Sequence, residues 1–406
     1  MLFQTLDDKS ECVGIYCNGS LHFDAADFPA HMSKTWKYSE YLRDRGEIEY
    51  ANLYVQDKKM EEVIPEYLRE DWNEVAARLL AFRRSLGIGK VDIDSHCIFD
   101  LIPTRFLADF CEVKNIITDY VITHYERPQR YEYLLKVCQL LEDISNRPLK
   151  INDQRLKAFI SGEPRDGPIR RLLGAPPYIR YNQFGTKTGR LTTRRNSFPI
   201  LTLKKRLRSV VEPRNDYFLE LDFNGAEVRV LLGMLGMPQP SDDVHEFHRR
   251  EIFGKKKSRE EVKTAFFAWL YGSKSAETRL YSKHLEKFYN KEQVLDQYWD
   301  GKKVYTPYRK EIDNVDEHHA LNYIVQSTCA ELTLLQALKI DHLLRSQGSH
   351  SHIACIIHDA IVIDFSQKDE ALLGDIKQLM ESTKFGRFKI NVSSGNDLGN
   401  LKEFPT

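Results

Sequence analysis

The order of apolar and polar residues divides the chain into strand-like and helix-like stretches. Near the N-terminus, apolar and polar residues alternate through CVGIYCNGSLHFD, and Asn18-Gly19 is a typical hairpin pair. Two later stretches, VIPEYLREDWNEVAARLLAFRRSLGIG and YEYLLKVCQLLEDISN, repeat apolar residues at i, i+3 and i+4. These patterns predict a β-rich region over residues 1–60, followed by helices over residues 61–160.

The second half of the chain repeats the change from strands to helices and back. A cluster of glycine and proline at 162–168 predicts a linker, and the strand-like YIRYNQFG follows Pro176-Pro177. YFLELDF (217–223) predicts a strand, AEVRVLLGML a helix, and residues from about 240 to 345 are mainly helical in pattern. The segments IACII, AIVIDF and FKINVSS then predict strands again. Together these elements favour an α+β fold.

Two aspartates stand at predicted strand ends. His358-Asp359 interrupts the apolar run ACIIHDAIVIDF, and Asp222 ends LELD before a turn. A buried carboxylate costs free energy unless a metal, a cation or a catalytic role offsets its burial. Two aspartates on neighbouring strands commonly hold paired Mg²⁺ ions in polymerases, nucleases and phosphatases. Taken alone the pair is weak evidence, because most strand-end aspartates are turn residues.

Composition and charge change this picture in one respect. The 406 residues suffice for two or three domains, and no apolar run approaches the length of a membrane-spanning helix. The N-terminus resembles neither a signal peptide nor a transit peptide, and seven scattered cysteines without a CxxC motif predict reduced thiols in a cytosolic protein. Net charge is zero, yet residues 167–211 contain eleven Lys and Arg and no acidic residue. A solvated basic loop is one interpretation, and the binding of a polyanion is the favoured one.

A stripe of cations and aromatic rings gives the strongest signal. In SREEVKTAFFAWLYG, four residues recur every four positions: Arg259, Lys263, Phe267 and Tyr271. On a helix they form one slowly drifting face. An ordinary amphipathic helix would separate its cations from its aromatic core, whereas this face suits a triphosphate at one end and a base at the other.

The stripe resembles the Arg-x3-Lys-x3-Phe-x3-Tyr-Gly fingers helix of family A DNA polymerases, the DNA polymerase I family. Five further segments resemble motifs of that family in the same order: KTGRLTT (187–193), DFNGAEVR (222–229), DDVH (242–245), ALNYIVQSTCAEL (320–332) and IHDAIVID (357–364). The resemblance covers about 178–365. It implies a right-hand polymerase fold with an antiparallel palm sheet, and a DNA-directed DNA polymerase that takes primer-template DNA and dNTPs.

The resemblance also implies a role for each matching position. Asp222, Asp359 and the backbone carbonyl of Phe223 would hold two Mg²⁺ ions, with Mn²⁺ as a substitute, and Lys263 would protonate the leaving group. The residues implied to contact the incoming nucleotide are Arg259, Lys263 and His245 at the phosphates, Phe267 at the sugar, Tyr271 under the base pair and Glu227 as a steric gate against a 2′-hydroxyl. The residues implied to contact DNA are Lys187, Thr188, Arg190, Asn322, Gln326 and His358.

Several positions depart from the family pattern. Ala360 stands where the family has Glu, which predicts altered metal handling rather than lost activity. His318 replaces an Arg, and Gly225 replaces a Gln near the gate residue Glu227. Family members with Phe rather than Tyr at the position of Phe267 discriminate against dideoxynucleotides, so the resemblance implies the same for this chain.

The sequence also lacks features of larger family members. A proofreading domain of the familiar kind needs Asp-x-Glu on a strand to hold its own metals, and the sequence contains no Asp-x-Glu. We therefore expect no 3′–5′ exonuclease. The nearest match, Asp92 and Asp94 in KVDIDSH, is predicted to lie in a loop. Only about twenty residues separate the thumb-like LLEDISNRPLKINDQRL (140–156) from the following strand. A reduced thumb predicts low processivity without a partner, which long products from single binding events would contradict. Such a compact enzyme resembles bacteriophage replication polymerases acting in a host cytoplasm, with a separate processivity factor, exonuclease, helicase or primase as conceivable partners.

The sequence patterns and the resemblance together predict five regions. The regions are a β-rich accessory segment (1–60), a thumb-like segment (61–166), palm (167–235), fingers (236–345) and palm again (346–406). A single-subunit RNA polymerase is one alternative, although Glu227 occupies the gate position and Phe267 stands where those enzymes usually have Met. A non-catalytic binding relative is the other, although both aspartates and Lys263 are present.

Overall fold

The structure is a computed structural model that describes residues 1–8, 11–56, 58–93, 96–162, 169, 172–254, 257–273 and 276–404. The chain forms two compact units. The first comprises Met1–Pro148, Gly174–Phe184 and Arg194–Phe198, and the second comprises Leu149–Leu173, Gly185–Thr193 and Pro199–Thr406. Most of the predicted linker at 162–168, and Asp94 of the predicted loop, lie outside the described residues.

The first unit is built on a small sheet. Its strands β1 (Phe3–Asp8), β2 (Glu11–Cys17) and β3 (Ser20–His22) are antiparallel, and short parallel strands β4 (Lys34–Thr35) and β5 (Glu49–Tyr50) follow. The β2–β3 hairpin turns at Asn18 and Gly19, whose φ angles of 50° and 80° confirm the predicted turn. Its other elements are α1 (Ala51–Tyr54), α2 (Met60–Val63), α3 (Glu66–Ile88), α4 (Thr104–His124), α5 (Tyr131–Ser145), the strand β7 (Tyr181–Asn182), and 3-10 turns at Ala25–Asp27, Glu40–Arg45 and Ile98–Leu101.

Strands and helices of the first unit share one interior. Leu6 of β1 lies in a cluster with Phe106 and Phe110 of α4, and Phe3 lies in another with Tyr131 of α5. Residues 1–60 and 61–148 therefore pack as one unit, where the sequence predicts two regions. Assignment of the helices to a thumb stays a prediction.

The second unit contains the sheet that carries both aspartates. The strand order is β13-β14-β10-β17-β18, and every neighbouring pair is antiparallel. The strands are β10 (Tyr217–Phe223), β13 (His352–Ile357), β14 (Ala360–Phe365), β17 (Ile390–Gly395) and β18 (Lys402–Glu403). The predicted strands at 217–223, 353–357, 360–365 and 388–394 are therefore confirmed, with small shifts at their ends.

Helices precede and separate the strands of this sheet along the chain, and they include the mainly helical stretch predicted at 240–345. They are α6 (Asp153–Gly162), α7 (Ala226–Met234), α8 (Val244–Glu251), α9 (Arg259–Leu270), α10 (Ala276–Phe288), α11 (Lys291–Tyr298), α12 (Glu317–Ser346) and α13 (Leu373–Glu381), with 3-10 turns at Lys205–Val210 and Gln367–Leu372. Short strands are β6 (Lys150–Ile151), β8 (Thr192–Thr193), β9 (Val211–Glu212), β11 (Val304–Tyr305), β12 (Glu311–Ile312), β15 (Ser382–Thr383) and β16 (Gly386–Arg387). The mixture of helix and antiparallel sheet confirms the α+β class.

The described residues bear on the predictions of reduced cysteines and of no membrane-spanning helix. No disulfide links any of the seven cysteines, which all lie in the described part of the chain, and all but the half-buried Cys12 are buried. Within the described ranges, no helix has both the length and the apolar composition that crossing a membrane requires.

Candidate active site

Two neighbouring strands bring Asp222 and Asp359 together. Strand β10 pairs with β14 so that Asp222 lies opposite Ala360, the residue after Asp359. Asp359 lies in the two-residue turn between β13 and β14, where His358 has a φ of 59°. Both aspartates and His358 line one cavity of about 510 Å³ in the second unit. The convergence expected from the strand patterns is thus present.

The two carboxylates share an environment that disfavours their negative charge. Burial and the neighbouring Asp359 raise the pKa of Asp222 to about 7. Burial likewise raises the pKa of Asp359. The amide of Asn391, on the other neighbour strand β17, donates to Asp222 Oδ2 over 3.4 Å, and Lys263 offsets part of the negative charge. A cation bound between the carboxylates would remove the remaining electrostatic cost.

The donor set fits a magnesium site completed by substrate. Among the described residues, no three or more His, Cys, Asp or Glu side chains cluster so as to hold a metal ion. Two carboxylates alone suit Mg²⁺, because this ion keeps several waters and is commonly bound by one or two carboxylates plus substrate phosphates. The pair of Asp222 and Asp359 therefore fits Mg²⁺ that arrives with a triphosphate better than a metal enclosed by protein.

The loop after Asp222 requires a glycine at position 225. Gly225 has a φ of 70°, a left-handed conformation that favours glycine. A Cβ added there would lie 2.4 Å from Cγ1 of Val244, closer than atoms can approach. The departure from the family's Gln thus has a local cause: backbone conformation and the contact with α8 leave no room for a side chain.

A buried arginine holds the same loop. Arg229 is fully buried, and burial lowers its pKa to about 10. Its guanidinium donates to the backbone oxygens of Asn224, Pro240 and Asp242 at 2.7, 2.8 and 2.9 Å, and to Asn224 Oδ1 at 3.2 Å. The loop after the aspartate strand is therefore fastened to the segment that leads into α8.

Asp243 joins three elements of the site. As N-cap of α8 it accepts from the amides of His245 and Glu246 at 2.9 and 3.0 Å. Its carboxylate also accepts from the Asn224 amide at 2.9 Å and from two nitrogens of Arg259 at 2.8 and 3.1 Å. Burial favours a raised pKa for Asp243, but the hydrogen bonds from Arg259 and Asn224 outweigh it and hold the pKa well below the usual range.

His245 lies beneath the stripe as a neutral ring. It is buried, and burial lowers its pKa to about 4. Its ring centroid lies 6.1 Å from that of Phe267, and its Nδ1 is a buried atom without a hydrogen-bond partner in the structure. A neutral imidazole here can contact phosphates through a hydrogen bond but adds no positive charge at neutral pH.

The predicted stripe lies along one face of α9 and continues to Tyr271, the C-cap residue that follows the helix. The helix starts with a capping box, in which Ser258 and Glu261 satisfy each other's backbone amides. Its opposite face is buried through Val262, Phe266 and Trp269. All four stripe residues line the cavity, and the rings of Phe267 and Tyr271 stack at 5.7 Å. The face shared by cations and aromatic rings is therefore a property of the folded helix.

Glu227 is buried at the edge of the cavity and held by two donors. The hydroxyl of Tyr271 donates to its Oε2 at 3.0 Å and its Oε1 at 3.3 Å, and Arg190 Nη2 donates to Oε1. Burial raises the pKa of Glu227, while Arg190 and Tyr271 oppose that effect. The structure thus pairs Arg190 with the predicted gate residue, a contact that the motifs did not suggest.

Most of the predicted site residues meet in this cavity. Those that line it are Arg190, Asp222, Phe223, Glu227, His245, Arg259, Lys263, Phe267, Tyr271, His358 and Asp359. Four others lie outside its lining: Lys187, Thr188, Asn322 and Gln326. Lys187 is exposed and Thr188 buried beside Arg190, whereas Asn322 and Gln326 are half-buried on α12. Their predicted DNA contacts remain predictions.

Sequence reasoning missed several residues of the site. Asn391 reaches Asp222 from a strand 169 positions later in the chain, which no local pattern indicates. Cys329 and Thr333 line the cavity from α12 four residues apart, a spacing that could have shown that they share a face. His318 lies against Gly272, where a Cβ would be 2.4 Å from its Cε1, so the residue that replaces the family's Arg packs at the end of the stripe.

Comparisons with known proteins agree with this geometry. No protein-family model matches the sequence. Over 243 residues, 51% of the chain, the sequence is 23% identical to DNA polymerase I of Aquifex aeolicus, of which it spans 42%. The fold is similar, at a TM-score of 0.60 and 13% identity, to the polymerase domain of Pol1 from M. smegmatis, a structure in complex with DNA primer-template and dNTP; the match covers 73% of this chain and 76% of that one.

The chain resembles the DNA polymerase I family in sequence and in fold. The family resemblance indicated by the motifs is thereby confirmed. At 13% identity the structural likeness concerns the fold alone, and the chain spans less than half of the curated relative.

Proposed function

We propose that the chain is a template-directed DNA polymerase that adds dNTPs to a primer 3′-hydroxyl. One observation carries the proposal: Asp222, on β10, and Asp359, in the turn that leads into the adjacent strand β14, line one cavity together with a helix that presents two cations and two aromatic rings. A nuclease would use the aspartates without needing the stripe. The Pol1 polymerase domain, whose fold is similar, is a complex with DNA primer-template and dNTP, and this supports the same proposal.

The residues of the cavity divide the reaction between them. Asp222, Asp359 and the carbonyl of Phe223 would hold two Mg²⁺ ions, which would lower the pKa of the primer 3′-hydroxyl and neutralise charge on the triphosphate. The primer 3′-hydroxyl loses its proton to water, its oxygen forms a bond to the α-phosphorus, and the bond between the α-phosphorus and pyrophosphate breaks. Lys263 and Arg259 bind the phosphates, and Lys263 gives a proton to the leaving pyrophosphate.

The remaining residues select and place the substrates. Phe267 packs on the sugar, Tyr271 lies under the new base pair, and Glu227 excludes a 2′-hydroxyl. Arg190 and His358 contact the primer end, next to the basic stretch at 167–211. The salt dependence of DNA binding should follow the number of phosphates that this stretch neutralises.

The proposal extends to three finer points. Without an Asp-x-Glu strand the chain would lack 3′–5′ proofreading. A compact polymerase of this kind would serve bacteriophage DNA replication in the host cytoplasm, with a processivity factor or other replication proteins as partners. Release of mispaired 3′ nucleotides from a labelled primer by the purified chain would refute the first point.

Primer extension tests the central proposal. The purified chain is given a primed template, Mg²⁺ and either dNTPs or rNTPs, and is compared with Asp359→Ala and with Asp375→Ala. Asp375 is an exposed carboxylate on α13, outside the cavity lining, and serves as the matched control. We expect extension with dNTPs, a loss of at least about a hundredfold in Asp359→Ala, and normal activity in Asp375→Ala.

Other outcomes separate the competing interpretations. Equal use of rNTPs would favour an RNA polymerase-like enzyme. DNA binding without extension, in Mg²⁺ or Mn²⁺, would favour a binding protein. Full activity of Asp359→Ala would contradict the proposal that Asp359 binds the catalytic metal ions.

A further inference from the structure

The carboxylate of Glu227 depends on donors from outside its own helix. Glu227 is the second residue of α7, and its side chain is 8% exposed. An ionised carboxylate this deeply buried needs hydrogen-bond donors or a cation to offset its lost hydration. Tyr271 supplies a neutral hydroxyl, and Arg190 supplies the charged group that contacts it.

The loop preceding Glu227 cannot take over this support. Gly225 precedes α7 as its N-cap and makes no side-chain hydrogen bond. Its φ of 70° and its approach to Val244 exclude a longer residue in its place. A side chain that braced Glu227 from position 225 is therefore impossible in this backbone.

Arg190 comes from a turn that is itself fixed. The Gly189 amide donates to the carbonyl of Thr186 at 3.2 Å, and the Thr186 hydroxyl donates to the carbonyl of Arg190 at 2.9 Å. Gly189 has a φ of 80°, which favours glycine at this point. The turn presents the guanidinium to the cavity while 43% of the side chain stays exposed. Removing the guanidinium should therefore leave the fold intact.

We propose that Arg190 is a positioning residue that sets sugar selectivity by holding Glu227 in place. This rests on the proposed polymerase function and on the proposed role of Glu227 as the gate against a 2′-hydroxyl. Without its cation, the carboxylate is better hydrated when it turns toward the open cavity, and it then leaves the place it now occupies. A guanidinium has five N–H donors, so one group can hold Glu227 and still contact the primer end.

The inference is tested by single-nucleotide incorporation with dNTP and rNTP. The measured quantity is the ratio of kcat/KM for the two nucleotides, in the wild type, Arg190→Ala, Glu227→Ala and the double variant. A lost primer contact slows both nucleotides equally and cancels in this ratio. We expect Arg190→Ala to lower the ratio about tenfold, as loss of a partly buried charge partner would. Arg190→Lys should restore part of it.

The double variant gives the decisive comparison. If Arg190 acts through Glu227, its removal changes the ratio less than twofold once Glu227 is Ala. An unchanged ratio in Arg190→Ala, or the same loss with and without Glu227, would overturn the inference. Arg190→Gln repeats the test should the alanine variant fold poorly. A wild type that incorporates no nucleotide would refute the proposed function instead, so the two failures are distinguishable.

Discussion

Replacing Asp243 by alanine should destabilise the site far more than the same change one residue earlier. Asp243 caps α8, pairs with Arg259 and accepts from the buried amide of Asn224. Loss of the cap costs about 1 kcal/mol. Loss of the ion pair, in which the Asp243 side chain is 23% exposed and that of Arg259 38%, costs about 0.5–1 kcal/mol. A buried Asn224 amide without an acceptor costs about 1–2 kcal/mol.

These contributions sum to a loss of about 3 kcal/mol in the free energy of unfolding for Asp243→Ala. The matched control is Asp242→Ala, whose carboxylate makes an ion pair with Arg250 in which both side chains are nearly half exposed. Its removal should cost less than about 1 kcal/mol. The two variants remove the same chemical group from adjacent positions, so their difference isolates the contacts of Asp243.

Urea unfolding combined with hydrogen exchange measures the effect. The amides of His245 and Glu246 donate to Asp243, so exchange in the peptide that contains α8 should accelerate in Asp243→Ala and not in Asp242→Ala. Equal destabilisation by both variants, or unchanged protection in α8, would refute the assignment of Asp243 as a junction.

The pKa of Asp243 adds a pH signature. Its folded pKa lies below the unfolded value, so its contribution is complete above the unfolded pKa of about 4 and is lost as the pH falls toward the folded value. Asp243→Asn keeps a good capping residue but removes the charge. The difference in the free energy of unfolding between the wild type and this variant should be largest at neutral pH and should decrease below about pH 4. A gap that does not change with pH would contradict this account.

Two further changes test other parts of the site. Gly225→Ala forces a side chain into a left-handed backbone and against Val244, so it should cost about 1–3 kcal/mol in unfolding experiments; a neutral result would mean that the loop can relax. Phe267→Tyr should raise the incorporation of dideoxynucleotides relative to dNTPs, if the family pattern extends to this stripe. Efficient chain termination by the unmodified chain would already count against that expectation.

The sequence predicts those parts of the site that local patterns determine. Helical periodicity places Arg259 and Tyr271 on one face, and the apolar runs place Asp222 and Asp359 at strand ends, because both depend only on the nearest residues. The strand-like runs on either side of α13 favour strands throughout this part of the chain and do not indicate the helix. Its buried residues Ile376 and Met380 are four apart, a spacing that does indicate a helix.

The connections between segments could not be read in the same way. Arg229 binds three backbone oxygens, and backbone oxygens carry no identity that a sequence pattern can reveal. The pairing of Arg190 with Glu227 depends on how a turn and a helix meet, which neither motif contains. Likewise, the interior shared by β1 and α4 appears only when the hydrophobic faces of both are packed.

The strand order has a consequence for how the protein is made. Asp222 on β10 lies opposite Ala360, the residue after Asp359, although Asp222 and Asp359 are 137 positions apart in the chain. At ordinary synthesis rates, β14 leaves the ribosome on the order of ten seconds after β10. During that interval β10, which lies between β14 and β17 in the sheet, exposes the unpaired N–H and C=O groups of both its edges to the cell. Chaperone binding to this nascent strand would therefore bear directly on the yield of active protein.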